Sequence, residues 1–206
     1  MNEPNQTGSG GNWLFFGAGS PEPKFLGSRY NVGAAAIDIL ALTEKAPLFE
    51  TGPIKSTLIE IGGKAVRLVK PNVVPEMVDD ALGLIKKKFV CDPGAIIVFY
   101  GDPDHDPGRI KMKTSTGGNG NRVVDTFLKT FDPGVIRFRI GMGRQKKGRF
   151  NEVCEDISAE DGPKILTGIS NALWAAKILI RHGSKKAQDF IDLANRGKEQ
   201  QWLLKN

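Results

Sequence analysis

Lys111 and Lys113 stand two residues apart, and so do Arg137 and Arg139 within the run Val135–Gly141, VIRFRIG. In an extended chain, residues two apart point to the same side. Each run therefore presents two cations from one side of a strand, and two adjacent strands of this kind offer a pair of cations to one phosphate. Arg144, Lys146, Lys147 and Arg149 follow in a glycine-flanked stretch suited to tracking a phosphate backbone. From Arg109 to Arg149 there are eleven basic and two acidic residues, net +9, so the rest of the chain carries −3 of the formal total of +6. Charge gathered in this way favours a phosphate-rich partner, RNA above all. The bland alternative is a solvated surface strip.

Other chemistries fare worse. Asp102, Asp104, His105 and Asp106 begin like a calcium loop, but Gly108 comes one place late and Lys113 stands where a bidentate glutamate is needed. With Pro103 and Pro107 restricting it, the segment reads as a turn, and no metal or cofactor is expected. His182, beside Arg181 at a helix end, reads as an exposed capping cation. Two isolated histidines make no Ser-His-Asp or Cys-His set, and no partner for His105 is identifiable in the sequence. Cys91 and Cys154 are far apart with no CxxC, which suits a reducing compartment. No apolar run approaches the roughly 20 residues of a membrane span.

The elements that must position these groups follow from periodicity. Trp13–Phe16 is a short aromatic-rich strand that stops at Gly17-Ala18-Gly19-Ser20-Pro21. GxGxxG is absent, so the turn is no dinucleotide fingerprint. Val32, Ala35, Ala36, Ile39 and Leu40 share a helix face, and Ile54–Ile61 pairs with Ala65–Lys70 around Gly62-Gly63. Met77, Val78, Ala81, Ile85 and Phe89 mark a helix ending in Lys86-Lys87-Lys88, and Ala95–Tyr100 is a strand buried on both faces. Arg109–Lys113 is a short strand, Thr114–Asn121 a glycine-rich loop and Val123–Phe131 a helix. Ser158 and Asp161 open a long helix through Ile165, Ile169, Leu173, Ala176 and Ile180, which Gly183 ends, and a last helix covers Lys185–Ala194. The expected architecture is one α/β domain over residues 13–195, a twisted, mostly parallel mixed sheet with helices on both faces. Residues 1–12 read as a disordered tail without the pattern of a transit peptide, and residues 196–206 as a polar tail.

Taken in order, these motifs resemble the bacterial-type peptidyl-tRNA hydrolase family. Gly17–Pro21, Phe25 and Ser28-Arg29-Tyr30-Asn31-Val32-Gly33 match its G-L-G-N-P-G, spaced Tyr and T-R-H-N-x-G. Lys70-Pro71 matches the K-P before T-F-M-N, and Tyr100–Gly108 occupies the place of H-D-E-L-D-L-P-x-G. Lys111-Met112-Lys113 matches K-x-K, Gly118–Asn121 the loop ending in H-N-G, and Arg137–Gly143 matches R-L-R-I-G-I-G. Gly183–Ala187 resembles the closing G-x-x-K-A.

The resemblance implies hydrolysis of the ester joining a peptide to tRNA ribose, by a histidine oriented by an aspartate, with asparagines holding water and carbonyl. Here the histidine position is Tyr30 and the aspartate position Gly101. The two asparagine positions are Ser20 and Glu76, and only Asn121 is retained. A phenol with a pKa near 10 is a poor base at neutral pH. The family's grip on the tRNA 5′-phosphate resembles Lys113 with Arg139, and both are present. The expectation is therefore an inactive hydrolase-like domain that binds structured RNA, rRNA or tRNA, in an organellar ribosome or its assembly with ribosomal or assembly proteins. A mitochondrial setting is expected ahead of a cytoplasmic or plastid one. A plastid intron-splicing factor shows that this fold is recruited to RNA. An active hydrolase with a relocated site, dependent on His105 or Glu76, is one competing expectation, an organellar RNA-splicing factor a second, and a protein-binding scaffold a third.

Overall fold

The computed structural model describes residues 13–89, 92–114, 121–131, 133–143 and 156–204. Trp13–Gly17 forms β1 and Val32–Thr43 forms α1. Phe49–Thr51, Ile54–Ile61 and Lys64–Pro71 follow as β2, β3 and β4, then α2 over Val78–Lys88 and β5 over Ile96–Asp102. The rest is β6 (Ile110–Lys113), α3 (Arg122–Phe131), β7 (Ile136–Gly141), α4 (Asp161–His182), α5 (Ser184–Ala194) and α6 (Glu199–Leu203). The seven strands lie in one sheet, in the order β2-β3-β4-β1-β5-β7-β6. The inner strands β4, β1, β5 and β7 run parallel, and β2, β3 and β6 add antiparallel margins.

The sequence dictates this arrangement locally. β5, IIVFYGD, is buried along its whole length, as a strand covered on both faces must be. Gly62 and Gly63 both take positive φ (58° and 75°), the conformation a two-residue hairpin between β3 and β4 requires. One face of the sheet is packed by α1, α4 and α5, through residues such as Ile37, Leu40, Ile169 and Phe190. The other is packed by α2 and α3, through Ala81, Ile85, Val124 and Phe127, with Phe16 and Phe127 stacked 4.3 Å apart.

Three expectations change. β5 runs on to Asp102, which is fully buried, because its carboxylate has partners that let it end the strand inside the fold. The buried face of α1 centres on Gly33, Ala36, Ile37 and Leu40, with Ala35 and Ile39 at its margin. The C-terminal tail is partly helical, since Trp202 of α6 packs edge-on to Phe190 at 5.6 Å.

Candidate functional site

The four parallel strands end side by side at their carboxyl edge, where open α/β sheets place their ligands. β1 leads into Ser20, β4 into the 3₁₀ turn Pro75–Met77 with Glu76, β5 ends at Gly101-Asp102, and β7 leads to Gly143.

The first turn is held by close backbone approach. A Cβ at Gly33 would lie 2.6 Å from the Ala18 carbonyl oxygen and 2.8 Å from its nitrogen, so α1 starts flush against the end of β1. The Asn31 side chain then clamps Ser20 from both sides: Oδ1 accepts from the Ser20 N–H at 2.8 Å, and Nδ2 donates to its carbonyl at 2.9 Å. Ser20 itself is buried, and its hydroxyl donates to Glu22 Oε2 at 3.1 Å. The hydrogen bond from Lys24 holds the Glu22 carboxyl below its ordinary range, with Ser20 adding to the effect against partial desolvation. Tyr30 is half-buried and stacked on Phe25, with ring centroids 4.4 Å apart.

At Gly101 a side chain fits only if its neighbours shift. A Cβ there would overlap Met142 Sδ and lie 2.9 Å from the Arg29 carbonyl oxygen. Glu76 is exposed. Asn121 Oδ1 accepts from the N–H groups of Val123 (3.0 Å) and Val124 (3.3 Å), so the retained asparagine caps α3.

The structure supplies a partner that the sequence did not reveal for His105. Asp102 Oδ2 lies 2.6 Å from His105 Nδ1, and Oδ1 accepts from the Asp104 N–H at 3.0 Å. The same Oδ2 lies 2.7 Å from Arg139 Nε, a close ion pair whose alignment is poorer than that of the histidine bond. Proximity in sequence hid this link, because nothing in Gly101–Gly108 indicates that Asp102 turns inward. Among the described residues no group of acidic, histidine or cysteine side chains is arranged to hold a metal ion.

The cations divide. Register places Lys111 opposite Arg139 and Lys113 opposite Arg137, so all four leave one face of the sheet, the face of α2 and α3. Lys113 is exposed and Lys111 half-buried. Arg139 is 22% exposed at its side chain and tied to Asp102. Arg137, expected at the surface with the other three, is only 6% exposed and hydrogen-bonds the buried Tyr100, so its side chain is engaged inside the fold. Burial pushes the Tyr100 phenol up, against the pull of Arg137 and Arg139. Arg144, Lys146, Lys147 and Arg149 lie outside the described residues.

A further ion pair braces the site from below. Arg29, 3% exposed, donates to Asp161 Oδ2 at 2.9 Å and to the Gly143 carbonyl at 3.4 Å, joining the turn before α1 to the end of β7 and the start of α4. Its only sequence signal is the arginine before Tyr30.

Comparison with known proteins gives a consistent result. The family model described as peptidyl-tRNA hydrolase matches residues 14–200. A peptidyl-tRNA hydrolase of Mycolicibacterium gilvum is 30% identical over 186 residues, covering 86% of this chain and 95% of its own. One from Mycobacteroides abscessus is also 30% identical over 186 residues, covering 86% and 93%. The crystal structure of the peptidyl-tRNA hydrolase from Acinetobacter baumannii superposes with a TM-score of 0.81 at 24% identity, covering 89% of this chain and 97% of that one. That last likeness speaks for the fold.

Proposed function

The chain belongs to the peptidyl-tRNA hydrolase family, and from that premise we propose that it holds structured RNA without cleaving the peptidyl ester. The observation that carries this reading is the closure of Gly101 by Met142 and the Arg29 carbonyl, next to a tyrosine stacked where a histidine base would stand. A base at that position without an orienting carboxylate loses most of its function. Lys113, Lys111 and Arg139 remain on the sheet face to meet phosphates. The partner we propose is tRNA or rRNA, in a mitochondrial ribosome or its assembly; the support is the basic segment and the family's named substrate.

One observation favours a second reading, a hydrolase with a relocated base. The buried Asp102 fixes His105 Nδ1 at 2.6 Å. With Nδ1–H donated to the carboxylate, Nε2 is the acceptor that would take a proton from water as it attacks the ester carbonyl, releasing the ribose hydroxyl. The two readings separate in one experiment. The purified chain is incubated with peptidyl-tRNA over a salt series, and both ester cleavage and binding are followed. Salt-steep binding without cleavage is expected; cleavage above the buffer rate that is lost in His105→Ala assigns the second reading instead.

A further inference from the structure

The ring at the position of the family's histidine is part of a built aromatic pair. Phe25 and Tyr30 stack 4.4 Å apart and 24° from parallel. Phe25 is 6% exposed and fixes the pair from beneath, while Tyr30 is half-buried and reaches the surface. Lys24 Nζ stands 4.9 Å from the Phe25 centroid and is held in place by Glu22 at 2.9 Å.

Placement gives the pair its meaning. Tyr30 packs against the apolar cluster that contains Val98 and Tyr100. These two residues lie in register with Arg137 and Arg139, which lie opposite Lys113 and Lys111. The aromatic pair and the cations thus share one face of the sheet. Cations for the backbone beside an aromatic ring for a base are the combination that binds single-stranded nucleic acid.

We infer that Tyr30, backed by Phe25, is a stacking subsite for one unpaired base of an RNA whose phosphates lie on Lys113 and Arg139. This rests on the RNA-holding reading above. A ring already fixed by its neighbour loses little freedom when a base settles on it, so the stacking energy is retained as affinity. Every base has a π-face, so the subsite selects an unpaired base more than a particular one.

The test uses the full chain and a stem–loop RNA with a single-stranded 3′ end, carrying 2-aminopurine at successive unpaired positions. Quenching on binding is expected at one position. Tyr30→Leu removes the quenching and weakens binding roughly 5- to 100-fold with the salt slope unchanged. Tyr30→Phe retains both. Lys113→Ala lowers the salt slope and keeps the quenching at saturation. Because a leucine could loosen the Phe25 packing, the wild-type chain is also irradiated with RNA carrying 4-thiouridine at the quenched position. Adducts on the peptide containing Phe25 or Tyr30 are expected. Quenching that persists in Tyr30→Leu, or adducts only elsewhere, overturns the subsite and leaves RNA holding intact. Absence of salt-steep binding by the wild type overturns both.

Discussion

Asp102 Oδ2 meets His105 Nδ1 at 2.6 Å and Arg139 Nε at 2.7 Å, so one buried carboxylate oxygen joins a loop histidine to a cation of the neighbouring strand. The carboxylate has no access to water, and its hydrogen bonds with Asp104 and His105 and its ion pair with Arg139 replace hydration. Asp102→Asn keeps the shape and removes the charge. It is expected to destabilise the fold by about 1–3 kcal/mol in urea denaturation, since Nδ1–H and the guanidinium both lose a charged acceptor. An unchanged midpoint would remove the structural role assigned to this carboxylate.

Lys113 and Arg137, opposite each other in register, are expected to respond differently to removal. Lys113→Ala lowers the slope of log affinity against log salt by about 1, because one phosphate contact is lost. Arg137→Ala acts through stability instead, because the side chain is 6% exposed and holds Tyr100. Thermal melting together with filter binding at four salt concentrations separates the two effects. A salt slope that falls in Arg137→Ala with no change in melting would place this side chain at the interface.

Most of the fold is legible in the sequence because its elements announce themselves by period: the continuous apolar run of β5, the Gly62-Gly63 hairpin and the spaced isoleucines of α4. The site is less legible, since its key facts are long-range. Ser20 and Asn31 are eleven residues apart and bonded twice, while Arg29 and Asp161 are 132 apart. Alternation places Arg137 and Arg139 on one side of a strand but says nothing of depth. Only packing beneath α2 and α3 makes one a buried support and leaves the other at the margin. The direction in which Asp102 turns depends on Arg139 as the next strand along, which periodicity does not specify.

Space at Gly101 is the physical obstacle to restoring a carboxylate. Gly101→Asp is expected to cost about 1–3 kcal/mol through overpacking against Met142 and the Arg29 carbonyl. Met142→Ala alone costs about 2–5 kcal/mol as a cavity in the core. In the double variant each change relieves the other, so the combined loss falls short of the sum by about 0.5–3 kcal/mol. Denaturant melts of the two single variants and the double variant measure this coupling directly; strict additivity would show that Met142 is not what fills the position.

The Arg29–Asp161 pair gives the fold a defined response to acid. Partial burial of Asp161 opposes ionisation, but hydrogen bonds from Arg29 and Ser158 outweigh it and hold the carboxyl below its ordinary value. In the unfolded chain an aspartate titrates near 3.9. A group depressed on folding contributes its full stability above that unfolded value and loses it as pH falls toward the folded one. The pair therefore supports the fold at pH 5 and above and weakens below about pH 4. Asp161→Asn is expected to be less stable than wild type at pH 6, and the gap is expected to narrow as pH falls below about 4 and the native carboxyl begins to take up its proton. Urea midpoints at pH 6, 4 and 3 check the convergence, and parallel curves across that range would show that the ion pair is not the source of the acid sensitivity.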